Sequence, residues 1–135
     1  MWAIDRLSRN ASPPTPGVRV VYVSPLKALA YDIERNLRAP LAGIRRVAKE
    51  QAAPLPKLDV MVRTGDTPQH DRRRMLRTPP EILITTPESL GILLLSEGGR
   101  QMLSTLIKAY RGTATTVRLG IDAGYLRRHV ALLLQ

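Results

Sequence analysis

The chain has 135 residues, 44% of them apolar, which is enough for one hydrophobic core; phenylalanine is absent, so Leu, Ile, Val and Ala must build it. Zero cysteines exclude disulfides and thiolate metal sites, and no apolar run is long enough to span a bilayer. The net charge of +10, from 21 basic against 11 acidic residues, favours polyanionic partners through phosphate contacts and counterion release.

Most of the basic residues are arginine, which suits bidentate phosphate recognition, although arginine richness also follows from genome composition. The opening "MWAIDRLSRN" places Asp5 where a signal peptide needs an apolar block. The expectation is a soluble, cytoplasmic chain with no membrane partner.

"WAIDRLSRN" has the spacing of an amphipathic helix, and "ASPPTPG" breaks the chain after it. "VRVVYVS" is a β-branched run that reads as a buried strand. "LKALAYDIERNLR" reads as a helix with Leu26, Leu29, Ile33 and Leu37 on one side. Pro40 is expected to end that helix and to sit in the first turn of a second one, "PLAGIRRVAKEQ". "LDVMVRT" is another strand. "GDTPQ" is a turn opening a proline-started helix, "PQHDRRRMLR". "EILIT" reads as a strand buried on both faces, because Ile82, Leu83 and Ile84 leave no polar alternation.

After that strand, Thr86 before Pro87 is a helix start, its hydroxyl placed to accept an orphan amide proton. Thr85 with Glu88 also fits a capping box, so the start is open by one residue. "SEGG" is expected to stop this helix, and "RQMLSTLIKAY" to form the next. Strands alternating with helices at this spacing predict an α/β fold with a mainly parallel sheet covered by helices.

Each predicted strand ends in a small or polar turn that opens a helix: "SPLKALA" (24–30), "RTGDTP" (63–68) and "TTPESL" (85–90). In a parallel sheet such turns share the carboxyl edge, where open α/β folds bind ligands. Helix amino termini there offer free amides and partial positive charge, and hydroxyls at Ser24, Thr64, Thr67, Thr85 and Thr86, with Lys27, add donors. Together they could follow a phosphodiester backbone without reading bases; each loop alone also fits plain helix capping.

"VVYVSPLKALAYDIERNL", "VRTGDTPQHDRRRML" and "PPEILITTPESL" resemble the first RecA-like domain of superfamily 2 DEAD/DEAH-type ATP-dependent helicases, most closely the large helicase-related (Lhr-type) group. The resemblance runs from about Trp2 to about Leu106. It implies that "SPLKALA" is motif Ia, "RTGDT" the glycine-containing loop between, and "TTPESL" motif Ib. In that family these loops hold the backbone of the tracked strand. The positions implicated are Ser24, Pro25, Leu26, Lys27, Thr64, Gly65, Asp66, Thr86, Pro87, Glu88 and Ser89. Leu26, Pro25 and Pro87 would shape loops, and the hydroxyls, amides and Lys27 would meet phosphates.

The resemblance also implies ATP and magnesium in the intact family. The sequence contains no Gly-Lys pair, so the phosphate-cradling loop is missing. The Asp-Glu box has only a poor candidate in "GIDAGY", where Ala123 follows Asp122; Asp122 reads as an ordinary strand-end or capping residue. The expectation is an incomplete RecA-like (P-loop NTPase-type) domain over residues 1–110, lacking the Walker A loop, and a divergent tail over 111–135.

On this reading the chain carries no cofactor and does not hydrolyse ATP by itself. Its partner is single-stranded or duplex nucleic acid, DNA favoured, with a second chain as a source of the remaining motifs. A non-catalytic nucleic-acid- or partner-binding module and a truncated remnant stand as alternatives. "HDRRRMLR" reads either as a solvated helix face or as an auxiliary phosphate patch. His70 and His129 have no carboxylate or cysteine cluster near them in sequence, which argues against a metal site. "YLRRHVALLLQ" reads either as packed on the sheet or as exposed.

Overall fold

The computed structural model of the chain describes residues 17–53, 58–104, 106 and 107. The expected helix at "WAIDRLSRN", Asp122, His129 and the tail after Tyr110 lie outside the described residues.

Three strands form one parallel sheet: β1 (Val20–Val23), β2 (Val60–Arg63) and β3 (Ile82–Thr85). Their spatial order is β1-β3-β2, so the last strand in sequence lies in the middle. This explains the composition of β3. A central parallel strand covered on both faces cannot alternate apolar and polar side chains, and all four of its residues are buried.

Successive strand residues point to opposite faces, and two apolar clusters form accordingly. Val20, Val60 and Ile82 pack with Leu37, Leu41, Ile44 and Leu58 on one face. Val21, Val23, Met61 and Leu83 pack with Met75, Leu90, Leu93, Leu94, Met102 and Leu103 on the other. The first face is covered by helix α1 (Lys27–Glu50). The second is covered by α2 (Gln69–Arg77), α3 (Pro87–Leu95) and α4 (Glu97–Met102). This is the expected α/β arrangement.

The expected break at Pro40 does not occur: α1 runs unbroken through it for 24 residues. A proline here removes one amide donor and crowds the carbonyl four residues back. That carbonyl belongs to Asn36, an exposed residue, so water can replace the lost donor. Leu37, Leu41 and Ile44, packed on the sheet side across the proline, hold both halves in one line.

At its end α1 closes with Ala52 in the left-handed region, φ 49°. The Ala53 amide donates to the Ala48 carbonyl (2.9 Å) and the Ala52 amide to that of Lys49 (3.3 Å), the paired bonds of a Schellman ending.

"SEGG" also differs from expectation, because it links two helices as well as ending one. Ser96 terminates α3 and caps α4, its hydroxyl accepting from the Gly99 amide (3.1 Å) and donating to the Leu93 carbonyl (3.1 Å). Gly99 is required by close approach, since a Cβ there would overlap the carbonyl oxygen of Leu93. Among the described residues no helix is long and apolar enough to cross a membrane.

Candidate nucleic-acid interface

The register aligns Val23 with Thr85 and Thr85 with Arg63. The three strands therefore end level, and the turns after them stand side by side on one edge, that after β3 in the middle.

In the first turn Ser24 is fully buried, and its amide extends the ladder by donating to the Thr85 carbonyl (2.8 Å). Its hydroxyl donates to the Leu26 carbonyl at 2.9 Å. The serine thus folds the turn back on itself, leaving Pro25, Leu26 and Lys27 exposed. Lys27 opens α1 on the outer side of the edge.

In the second turn Thr64 and Thr67 are buried and bond to each other's main chain. The Thr64 amide donates to the Thr67 hydroxyl (2.9 Å), and the Thr67 amide to the Thr64 carbonyl (3.3 Å). The Asp66 amide donates to the Thr64 hydroxyl (3.2 Å), which also shares a 3.4 Å hydrogen bond with Tyr31 of α1. This small closed ring pushes Gly65 and Asp66 outward, where both are exposed. Asp66 there meets Lys27: its two carboxylate oxygens each accept from Nζ at 3.0 Å.

In the third turn the Thr85 hydroxyl donates to the Arg63 carbonyl (2.7 Å), linking the end of β3 to that of β2. Thr86 is the residue that begins α3, with Pro87 in its first turn, which settles the start left open by the sequence. Its hydroxyl does not take an amide proton as expected; it pairs with the Ser89 hydroxyl at 3.2 Å. Thr86 and Ser89 are buried, Pro87 half-buried and Glu88 exposed.

All eleven candidate residues thus gather at one edge, but in two layers. Ser24, Thr64, Thr86 and Ser89 form a buried layer of bonded hydroxyls. Pro25, Leu26, Lys27, Gly65, Asp66 and Glu88 form the solvent-facing layer, with Pro87 between. Among the described residues no buried side-chain nitrogen or oxygen lacks a hydrogen-bond partner, so the buried layer is a finished scaffold.

Arg72 belongs to the run "HDRRRMLR", read from the sequence as a solvated face or a phosphate patch, and its bonds to the second turn were not foreseen. From the first turn of α2 it donates to three main-chain carbonyls of the second turn: Thr67 (2.7 Å), Gly65 (2.6 Å) and, more weakly, Thr64 (3.5 Å). The run "RRR" concealed it, because composition does not show which arginine faces the loop. Its position four residues after Pro68, in the first turn of the helix the loop opens, was the available signal. At the end of β2, partial burial and then the nearby charge of Arg72 push the Arg63 guanidinium below its ordinary pKa.

ATP and magnesium need a phosphate-cradling loop and metal-holding carboxylates. Among the described residues no group of three or more His, Cys, Asp or Glu side chains could hold a metal ion. The exposed turns offer one ammonium and one loop glycine, and no Gly-Lys-Thr/Ser segment occurs in the sequence. These residues do not fit a nucleotide-magnesium site.

A model of the DEAD/DEAH box helicase family matches residues 1–109. Among curated relatives, the Lhr helicase/probable uracil glycosylase of Mycolicibacterium smegmatis is 55% identical over 106 residues, covering 78% of this chain and 7% of that protein. The ATP-dependent helicase Lhr-Core of Methanothermobacter thermautotrophicus is 53% identical over 89 residues, covering 66% of this chain and 10% of that protein. The solved structure of the Mycobacterium smegmatis helicase Lhr bound to ssDNA and AMP-PNP superposes with a TM-score of 0.67 at 54% identity. It covers 77% of this chain and 13% of that one. The chain thus spans a tenth or less of the length of the two curated relatives.

Proposed function

We propose, for a chain that belongs to the DEAD/DEAH box helicase family, that its three carboxyl-edge turns hold the sugar-phosphate backbone of a nucleic-acid strand, as part of an ATP-dependent DNA helicase of the Lhr type. The observation that carries this reading is the level ending of three parallel strands, with the exposed ammonium of Lys27 and the outward Gly65–Asp66 main chain on one surface. The likeness to a helicase solved with ssDNA supports it and favours DNA.

The two layers divide the work. The exposed layer, Pro25, Leu26, Lys27, Gly65, Asp66 and Glu88, supplies the contact surface, with the half-buried Pro87 at its margin. The buried hydroxyls of Ser24, Thr64, Thr86 and Ser89 act through the shape they give the loops. Such contacts position a strand without reading its bases, and binding of this kind weakens as salt rises.

The proposed domain extends over residues 1–110 and is followed by a divergent tail over 111–135; the family match ending at 109 supports the boundary. We further propose that ATP and magnesium are held by residues this sequence does not contain. The chain by itself then binds a strand without turning over ATP, since phosphoryl transfer depends on electrostatic groups that are missing here. A second chain carrying those groups is the natural partner.

The deciding experiment titrates labelled single-stranded DNA at two salt concentrations with the 135-residue chain and its Lys27→Ala variant. Salt-dependent binding, weakened in the variant, is expected. Equal and salt-insensitive affinities would discard the backbone-holding role, and nucleic-acid-stimulated ATP turnover by the purified chain would discard the division from ATP chemistry.

A further inference from the structure

The ammonium of Lys27 is not idle in the free protein. Its Nζ stands 3.0 Å from each oxygen of the Asp66 carboxylate. The pair joins the turn after β1 to the turn after β2, across the end of the strand between them. Both side chains are mostly solvent-exposed, 53% and 66%, so the pair is weak and cheap to open. Gly65 leaves the flank of the ammonium uncrowded, since even a Cβ there would come no nearer than 3.6 Å to Nζ.

A carboxylate offering two equivalent oxygens to one ammonium has the same donor–acceptor pattern as the two non-bridging oxygens of a phosphodiester. Among the described residues of the three turns, Lys27 is the exposed cation. A strand that takes the full charge of this ammonium must draw it away from Asp66.

We propose that Asp66 is an internal competitor for the phosphate subsite at Lys27, displaced when a phosphodiester takes its place; this rests on the backbone-holding reading above. The competitor makes the subsite selective. A tethered carboxylate acts at the high effective concentration of an intramolecular group, so a free phosphate or short anion cannot displace it at low concentration. A polyanionic strand anchored by the neighbouring turns can. Asp66 is in this sense a specificity-determining residue.

The test is a double-mutant cycle with labelled single-stranded DNA over a range of salt, using the full chain, Asp66→Asn, Lys27→Ala and the double variant. Thermal melts of all four proteins confirm folding, which an exposed pair should barely affect. Asp66→Asn is expected to bind about two- to fivefold more tightly, the range given by releasing an exposed ion pair. Its salt slope should stay close to that of the wild type, because the same phosphates are contacted in both bound states. It should also gain measurable competition by inorganic phosphate, and the tightening should vanish in the Lys27→Ala background.

Unchanged or weaker binding by Asp66→Asn overturns the competitor role and makes Asp66 a scaffold. Tightening that persists without Lys27 also overturns it, leaving only general charge repulsion. These outcomes leave the backbone-holding reading intact as long as wild-type binding is salt-dependent and reduced by Lys27→Ala. Salt-insensitive or absent binding in all four proteins overturns both.

Discussion

Arg72 donates a hydrogen bond of 2.6 Å to the carbonyl oxygen of Gly65, the residue at the tip of the turn after β2. With its bonds to the carbonyls of Thr67 and Thr64, this guanidinium draws the electronegative side of the loop toward α2. The carbonyls so held are kept from the surface proposed to meet phosphate. Lysine cannot reproduce this, because its ammonium lacks the planar fork that reaches separate carbonyls at once. Arg72→Lys keeps the charge and is expected to weaken single-strand binding several-fold at unchanged net charge, measured by anisotropy titration. Unaltered affinity would show that the loop holds its shape without the fork.

The hydroxyl of Thr85 donates to the Arg63 carbonyl at 2.7 Å from a fully buried position. Thr85→Val preserves shape and removes the donor. Losing the bond to this part-buried carbonyl costs about 0.5–1.5 kcal/mol. A drop of that size in unfolding free energy, measured by urea titration, is the expected outcome.

Ala52 closes α1 in the left-handed region with φ 49°. A residue bearing a Cβ is strained there by roughly 1–2 kcal/mol, whereas glycine is not. Part of that gain is offset by the greater freedom of glycine in the unfolded chain, about 0.4–1 kcal/mol. Ala52→Gly is therefore expected to raise stability by about 0.5–1 kcal/mol, read as a higher urea midpoint with an unchanged slope.

Arg63 carries the opposite liability. Burial first, and the neighbouring Arg72 second, disfavour its charged form in the folded state. Its folded pKa lies below its unfolded one, so folding is penalised wherever the group is charged. The penalty is constant through neutral pH and is relieved only as pH rises through the lowered value, in the strongly alkaline range. Arg63→Met is accordingly expected to raise the thermal midpoint by the same amount throughout the neutral range. A gain that changes with neutral pH would point to a different titrating group.

Much of the fold was legible in the sequence because its signals are local. The runs at Val20–Val23, Val60–Arg63 and Ile82–Thr85 are rich in β-branched and apolar residues, and each became a strand. Pro87 marked a helix start for the reason given by its missing donor. What was not legible depended on distant neighbours. Pro40 reads as a breaker until Leu37, Leu41 and Ile44 are seen anchored on the sheet. The Thr86 hydroxyl reads as a cap until it is seen paired with Ser89. No pattern in the chain announces that Lys27 and Asp66 touch, because their meeting depends on the spatial order of three strands. The layering of the candidate site follows the same rule: residue type suggested the chemistry, and only packing decided which groups face solvent.

The placement of β3 between its two predecessors also governs how the molecule is made. β1 and β2 each pair with β3, so neither finds its ladder partner until residues 82–85 have been synthesised. Closing both intervening loops must precede any gain from strand pairing, which slows the folding of such topologies. A polypeptide ending at Pro80 should accordingly lack the sheet altogether, and extension through Leu103, which adds β3 and the helices covering its second face, should bring both ladders into being in a single cooperative step.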